Sequence, residues 1–125
     1  MSSVTHIPLT HETVLRRHAQ LISDSYFLGL EVGHGWLSLV ERMLSDLEQL
    51  VEPGHEAIKV TDIKSKAGEL HVSLEYYSDK IDEIIEKFEA EALKTCEFCG
   101  QPGRPRGPGW PITLCDEHAA SEGRG

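Results

Sequence analysis

Cys96-Glu97-Phe98-Cys99 and Cys115-Asp116-Glu117-His118 are two pairs of metal-ligand residue types, each pair spaced by two residues, with fifteen residues between the pairs. Two intervening residues let one tight turn aim both ligands at a single ion, and three thiolates with one imidazole form the donor set of a closed tetrahedral site. Gly100 follows Cys99, where a chain leaving such a turn needs a positive φ. The pattern predicts one structural Zn2+ held by Cys96, Cys99, Cys115 and His118, because soft and borderline donors in a closed set suit zinc better than a redox metal. Four protein ligands leave no position for the water of a catalytic zinc. A nucleophilic Cys paired with His118 would not require the other thiols at these intervals. No catalytic residue is therefore expected. Ligation should supply roughly 10 kcal/mol gross to this segment, which should melt without metal.

The remaining chemistry-bearing residues form no comparable constellation. None of His6, His11, His18, His34, His55 and His71 belongs to a His-x-x-x-His pair, so surface or half-buried histidines are expected. Gly33-His34-Gly35 lacks the length and the Lys-Ser/Thr of a phosphate loop and is expected to lead tightly into a helix at Trp36. Arg104 and Arg106, with Lys59, Lys64 and Lys66, make up the set a nucleic-acid reading would use. Glu97, Asp116, Glu117 and Glu122 weaken the local positive field around the two arginines. A protein-binding reading instead uses Asp82, Glu83 and Glu86 together with Trp110, which is flanked by Gly109 and Pro111. One-sided acidic charge steers basic partners, and aromatic residues carry interface energy disproportionately.

The elements that must position these residues follow from periodicity. Thr10 is the expected cap of a helix from His11 to about Ser23. Tyr26–Val32 reads as a short buried strand or an extended loop. Trp36, Leu39, Val40, Met43, Leu47, Leu50 and Val51 form one apolar helical stripe, widened by Leu37 and Leu44, while Glu41 and Glu48 face away. Glu52-Pro53-Gly54 should end that helix. The stretch 57–64, a Gly-containing turn at 65–68 and the alternating run 69–77 predict a β-hairpin with Leu70, Val72, Leu74 and Tyr76 inward. Ser78 should cap a last helix to about Lys94, with Ile81, Ile84, Ile85, Phe88 and Ala92 on its apolar face.

Gly33-His34-Gly35-Trp36, the stretch Ile63-Lys64-Ser65-Lys66-Ala67-Gly68-Glu69-Leu70, Thr95-Cys96-Glu97-Phe98-Cys99-Gly100-Gln101-Pro102-Gly103 and the run from Gly109 to Ala119 together resemble short, largely uncharacterised bacterial and phage proteins. The resemblance covers about residues 30–120. It implies a zinc-binding end at Cys96, Cys99, Cys115 and His118, and its phage association implies interference with host machinery.

At 125 residues the chain is too short for a Rossmann or barrel enzyme. With 21 acidic against 12 basic residues, its formal charge of -9 favours protein partners over nucleic acid. The first eight residues have neither the basic start nor the apolar run of a signal peptide, and no stretch approaches the roughly 20 apolar residues of a membrane span. A cytoplasmic location follows, and three thiols in a reducing compartment suit metal better than disulfides. The expected architecture is α+β. Residues 1–94 should place helices over one face of the hairpin, residues 95–120 should form the zinc module, and residues 121–125 should fray. A lone hairpin is marginal in water, so its inner face needs the helices or a second copy of the chain, which makes a homodimer an expectation. The expected function is a non-enzymatic, zinc-stabilised protein-binding module, such as a phage- or prophage-borne inhibitor of a host defence or regulatory protein. The alternative is a nucleic-acid-associated regulator.

Overall fold

Thr10 begins the first helix as its hydroxyl allows. In the computed structural model, which describes residues 9–51 and 58–124, Thr10 Oγ1 accepts from the Thr13 N–H at 3.0 Å and α1 runs His11–Arg17. The helix is shorter than expected. At His18 the backbone leaves the helical region, Ala19–Leu21 form a 3-10 turn, and the Ser23 N–H donates to Val60 O at 3.0 Å. The sheet, not the helix, claims residues 22 and 23.

Of Tyr26–Val32, only β1, Leu30–Glu31, is regular strand. Tyr26 and Leu28 are exposed rather than buried. β1 pairs in parallel with β2, Val60–Lys66, and β2 pairs antiparallel with β3, Glu69–Leu74. The expected hairpin therefore gains a third strand from upstream in the chain, giving the order β1-β2-β3. Ala67 and Gly68 form its turn with φ of 55° and 78°, the two left-handed positions of a two-residue hairpin turn. Leu70 and Leu74 are buried as the alternation predicts, whereas Tyr76 lies beyond the strand end and is 37% exposed.

A 3-10 turn, His34–Trp36, leads into α2, Leu37–Glu48. Trp36, Leu39, Val40, Met43, Leu44 and Leu47 are all within 1% of complete burial, so the apolar stripe is the core of the domain. Each such side chain contributes about 1.5–3 kcal/mol relative to exposure. Val51 falls outside the stripe and is exposed. The expected stop at Glu52-Pro53-Gly54 lies outside the described residues. α3, Asp79–Ala92, is capped by Ser78, whose Oγ accepts from the Ile81 N–H, and it buries Ile81, Ile85, Phe88 and Ala92 against α2 and β3.

Residues beyond Thr95 build a short hairpin, β4 Arg104–Arg106 with β5 Ile112–Leu114, and a terminal helix α4, Asp116–Ser121. Cys96, Leu114, Cys115 and Ala119 form a small core of their own. At the last described residue, Arg124 Nη1 donates to the carbonyls of Trp110 at 2.8 Å, Arg106 at 3.3 Å and Pro108 at 3.4 Å. No helix among the described residues is long and apolar enough to cross a membrane.

Candidate metal centre

Two local devices bring the four candidate ligands together. The turn after Cys96 closes through the Gly100 N–H donating to Cys96 O at 2.9 Å, with Gly100 at the positive φ of 83° that its position requires. Cys115 caps α4, its Sγ accepting from the His118 N–H at 3.4 Å, which turns the His118 ring toward the thiols. β4 and β5 carry the chain between the two pairs.

The donor atoms of Cys96, Cys99, Cys115 and His118 all lie within 4.8 Å of one another. Cys99 Sγ is 3.8 Å from Cys115 Sγ, and His118 Nδ1 is 3.6 Å from Cys96 Sγ and 3.3 Å from Cys115 Sγ. A tetrahedron with metal–sulfur bonds of about 2.3 Å and a metal–nitrogen bond of about 2.0–2.1 Å has edges of about 3.8 Å between sulfurs and about 3.6 Å from sulfur to nitrogen. The three edges given above lie within about 0.3 Å of these values, and the four donors are close enough together to hold one metal ion. The Phe98 ring stands edge-on to His118, with centroids 5.4 Å apart, and shields one side.

The electrostatics favour a cation between the sulfurs. Burial pushes the Cys96 thiol up, but the N–H groups of Cys115, Cys99 and Phe98 outweigh it and bring the thiol down to about 6. The Gln101 N–H pulls Cys99 down, yet burial and the sulfurs of Cys96 and Cys115 push it up overall. One thiolate forms readily, and the next is resisted until a positive ion sits among the sulfurs.

No family model, curated protein or solved structure matches the chain.

The other sequence-predicted residues separate. Trp110 is 63% exposed, on the β4–β5 loop pinned from below by Arg124. Asp82, Glu83 and Glu86 are exposed on α3. Asp82, Glu86 and Glu89 edge a shallow depression of about 290 Å³ walled by Val72, Tyr77 and Ile85. The basic set does not converge. Arg106 is 6% exposed, and its guanidinium is committed to Leu114 O at 3.2 Å and Asp116 at 2.7 Å, which holds the Asp116 carboxyl below the usual range. It is not free to grip a phosphate alongside exposed Arg104. Lys59 Nζ donates to Gln20 O at 2.8 Å and Lys64 lies 3.7 Å from Asp62, leaving Lys66 at the hairpin tip.

Sequence reasoning missed Glu97. Its buried carboxylate accepts from the Gly33 N–H at 2.9 Å and the Ser65 hydroxyl at 2.8 Å, tying the ligand turn to the start of α2 and to β2. No local sequence signal marks it, because its partners lie 64 and 32 residues away.

Proposed function

We propose that this chain is a non-catalytic protein-binding module, stabilised by one structural zinc and directed at a basic partner protein. The observation that carries the reading is the combination of a closed four-donor centre with Trp110 held exposed on the loop between its two ligand pairs. Zinc suits the donors because the 3.8 Å sulfur–sulfur edge matches bonds of about 2.3 Å and three thiolates with one imidazole form a recurrent structural zinc set. With all four positions occupied by protein, the ion's work is to hold the loop. A cytoplasmic, reducing setting keeps its three thiols available.

The basic partner is supported by the apolar-walled depression edged by Asp82, Glu86 and Glu89, which fits the aliphatic stem and charged tip of a Lys or Arg. Host interference, as the resemblance to phage proteins implies, is one setting in which an acidic module would meet such a partner. The commitment of Arg106 to Asp116 disfavours the nucleic-acid alternative.

Metal analysis of purified protein should find one zinc per chain. Cys96→Ser and Cys115→Ser should each lower it sharply, and unchanged metal content in both would refute the centre. Partner capture from nuclease-treated lysate should depend on Trp110 and the acidic face; recovery that vanishes with nuclease would favour the nucleic-acid reading instead.

A further inference from the structure

The turn that opens α2 is pressed against the turn that carries two of the metal ligands. The Gly35 N–H donates to Glu97 O at 2.7 Å, the Gly33 N–H donates to the Glu97 carboxylate at 2.9 Å, and the Trp36 indole N–H donates to Thr95 O at 2.8 Å. A side chain at Gly35 has nowhere to go. Its Cβ would lie 2.5 Å from Gly100 N and 2.6 Å from Cys99 N, and would also strike Cys96 O, where ordinary contact begins at 3.4 Å. These are the backbone atoms that shape the ligand turn: the Gly100 N–H and Cys96 O close it by their own hydrogen bond, and Cys99 is itself a ligand. A methyl group would have to displace this backbone by the better part of an ångström, whereas metal–ligand distances tolerate only about 0.2 Å.

We propose that Gly35 is a positioning residue of the metal centre, so that metal occupancy and the docking of the Gly33–Trp36 turn are coupled. The inference rests on the reading that Cys96, Cys99, Cys115 and His118 bind zinc. Coupling is reciprocal: if the docked turn favours metal, metal favours the docked turn to the same extent. A residue far from the ligands in sequence then sets affinity while all four ligand residues are unchanged.

The test is zinc affinity, measured by competition with a chromophoric chelator, on wild-type and Gly35→Ala protein with helix content followed in parallel. Gly35→Ala should bind at least tenfold more weakly, within the roughly 10–100-fold typical of residues that orient ligands. Trp36→Phe, which removes the indole donor and keeps an aromatic ring, should shift affinity less and in the same direction. In wild-type protein, hydrogen exchange should show the Gly35 amide losing protection when zinc is chelated, while the Leu44 amide keeps more of its protection. Folded Gly35→Ala with affinity within about twofold of wild type overturns the inference and leaves the zinc reading standing. Unchanged Gly35 exchange on chelation does the same. If Gly35→Ala does not fold, the exchange comparison and Trp36→Phe decide. Wild-type protein that binds no zinc overturns the zinc reading and the inference together.

Discussion

His18 Nδ1 lies 2.7 Å from Glu48 Oε1, joining the end of α1 to the last residue of α2. The other ring nitrogen is 2.7 Å from Glu41 Oε2, one helical heptad earlier, and the imidazole is only 4% exposed. Both ring nitrogens are thus engaged by carboxylates from one face of α2. His18→Ala leaves two partly buried carboxylates facing an empty site. It should cost about 1.5–3 kcal/mol, the range for losing hydrogen bonds to charged groups. His18→Gln, able to serve one carboxylate, should cost less. Denaturant melts measure both, and a neutral His18→Ala would dismiss the clamp.

Acid should weaken the α2–α3 seam through Glu91. The hydrogen bond from Arg42 is the largest influence on its carboxyl and holds it below the usual range. A carboxyl depressed in the folded state contributes stability above its unfolded value, about 4.3, and loses it as pH falls through the folded value. Glu91→Gln should flatten the decline of melting temperature on the acid side of about pH 4.3. Identical pH profiles would show that this surface pair contributes nothing.

Ala67 holds a φ of 55°, where its methyl group crowds the backbone. Left-handed backbone costs an L-residue about 1–2 kcal/mol, partly offset by the greater freedom glycine has when unfolded. Ala67→Gly should therefore stabilise by about 0.5–1 kcal/mol. Gly68→Ala should destabilise, since φ is 78° and the new Cβ would come within 3.3 Å of Thr113 Oγ1. Opposite signs in paired thermal melts are the expected result.

The partner surface separates into two kinetic effects. Replacing Asp82, Glu83 and Glu86 with Lys should leave the fold largely intact and slow association with a basic protein, because steering acts before contact. Trp110→Ala should speed dissociation, because an anchor acts after it. Unchanged rates in folded, metal-loaded variants would return α3 to a solvated face and Trp110 to local packing.

The Cys/His cluster was legible because its spacing is local: Cys96, Cys99, Cys115 and His118 converge as two short turns dictate. The caps at Thr10 and Ser78 and the stripe from Trp36 to Leu47 were equally local signals. Long-range choices were not readable. The parallel pairing of Leu30 with Ile63 depends on a crossover, and the stop of α1 at Arg17 goes with the Ser23 N–H bonding to Val60 O, 37 residues further on. Arg106 looked like a free cation because nothing in Arg-Pro-Arg announces that its guanidinium folds back beneath β5. Composition changes near Thr95, and Glu97, Trp36 and Thr113 tie the two sides of that change together.

The bond from the Trp36 indole to Thr95 O spans 59 residues, and the Thr113 hydroxyl reaches back 45 residues to Gly68 O. A nascent chain emerges N-terminus first, so α2 leaves the ribosome long before the segment that seats its opening turn has been translated. Until then the indole N–H and the glycine amides of that turn are exposed to solvent, to proteases and to chaperones. Completion of the fold thus waits on translation of residues 95–113. A message cut short before Thr95 would yield a chain with an unfinished interior, a natural substrate for degradation.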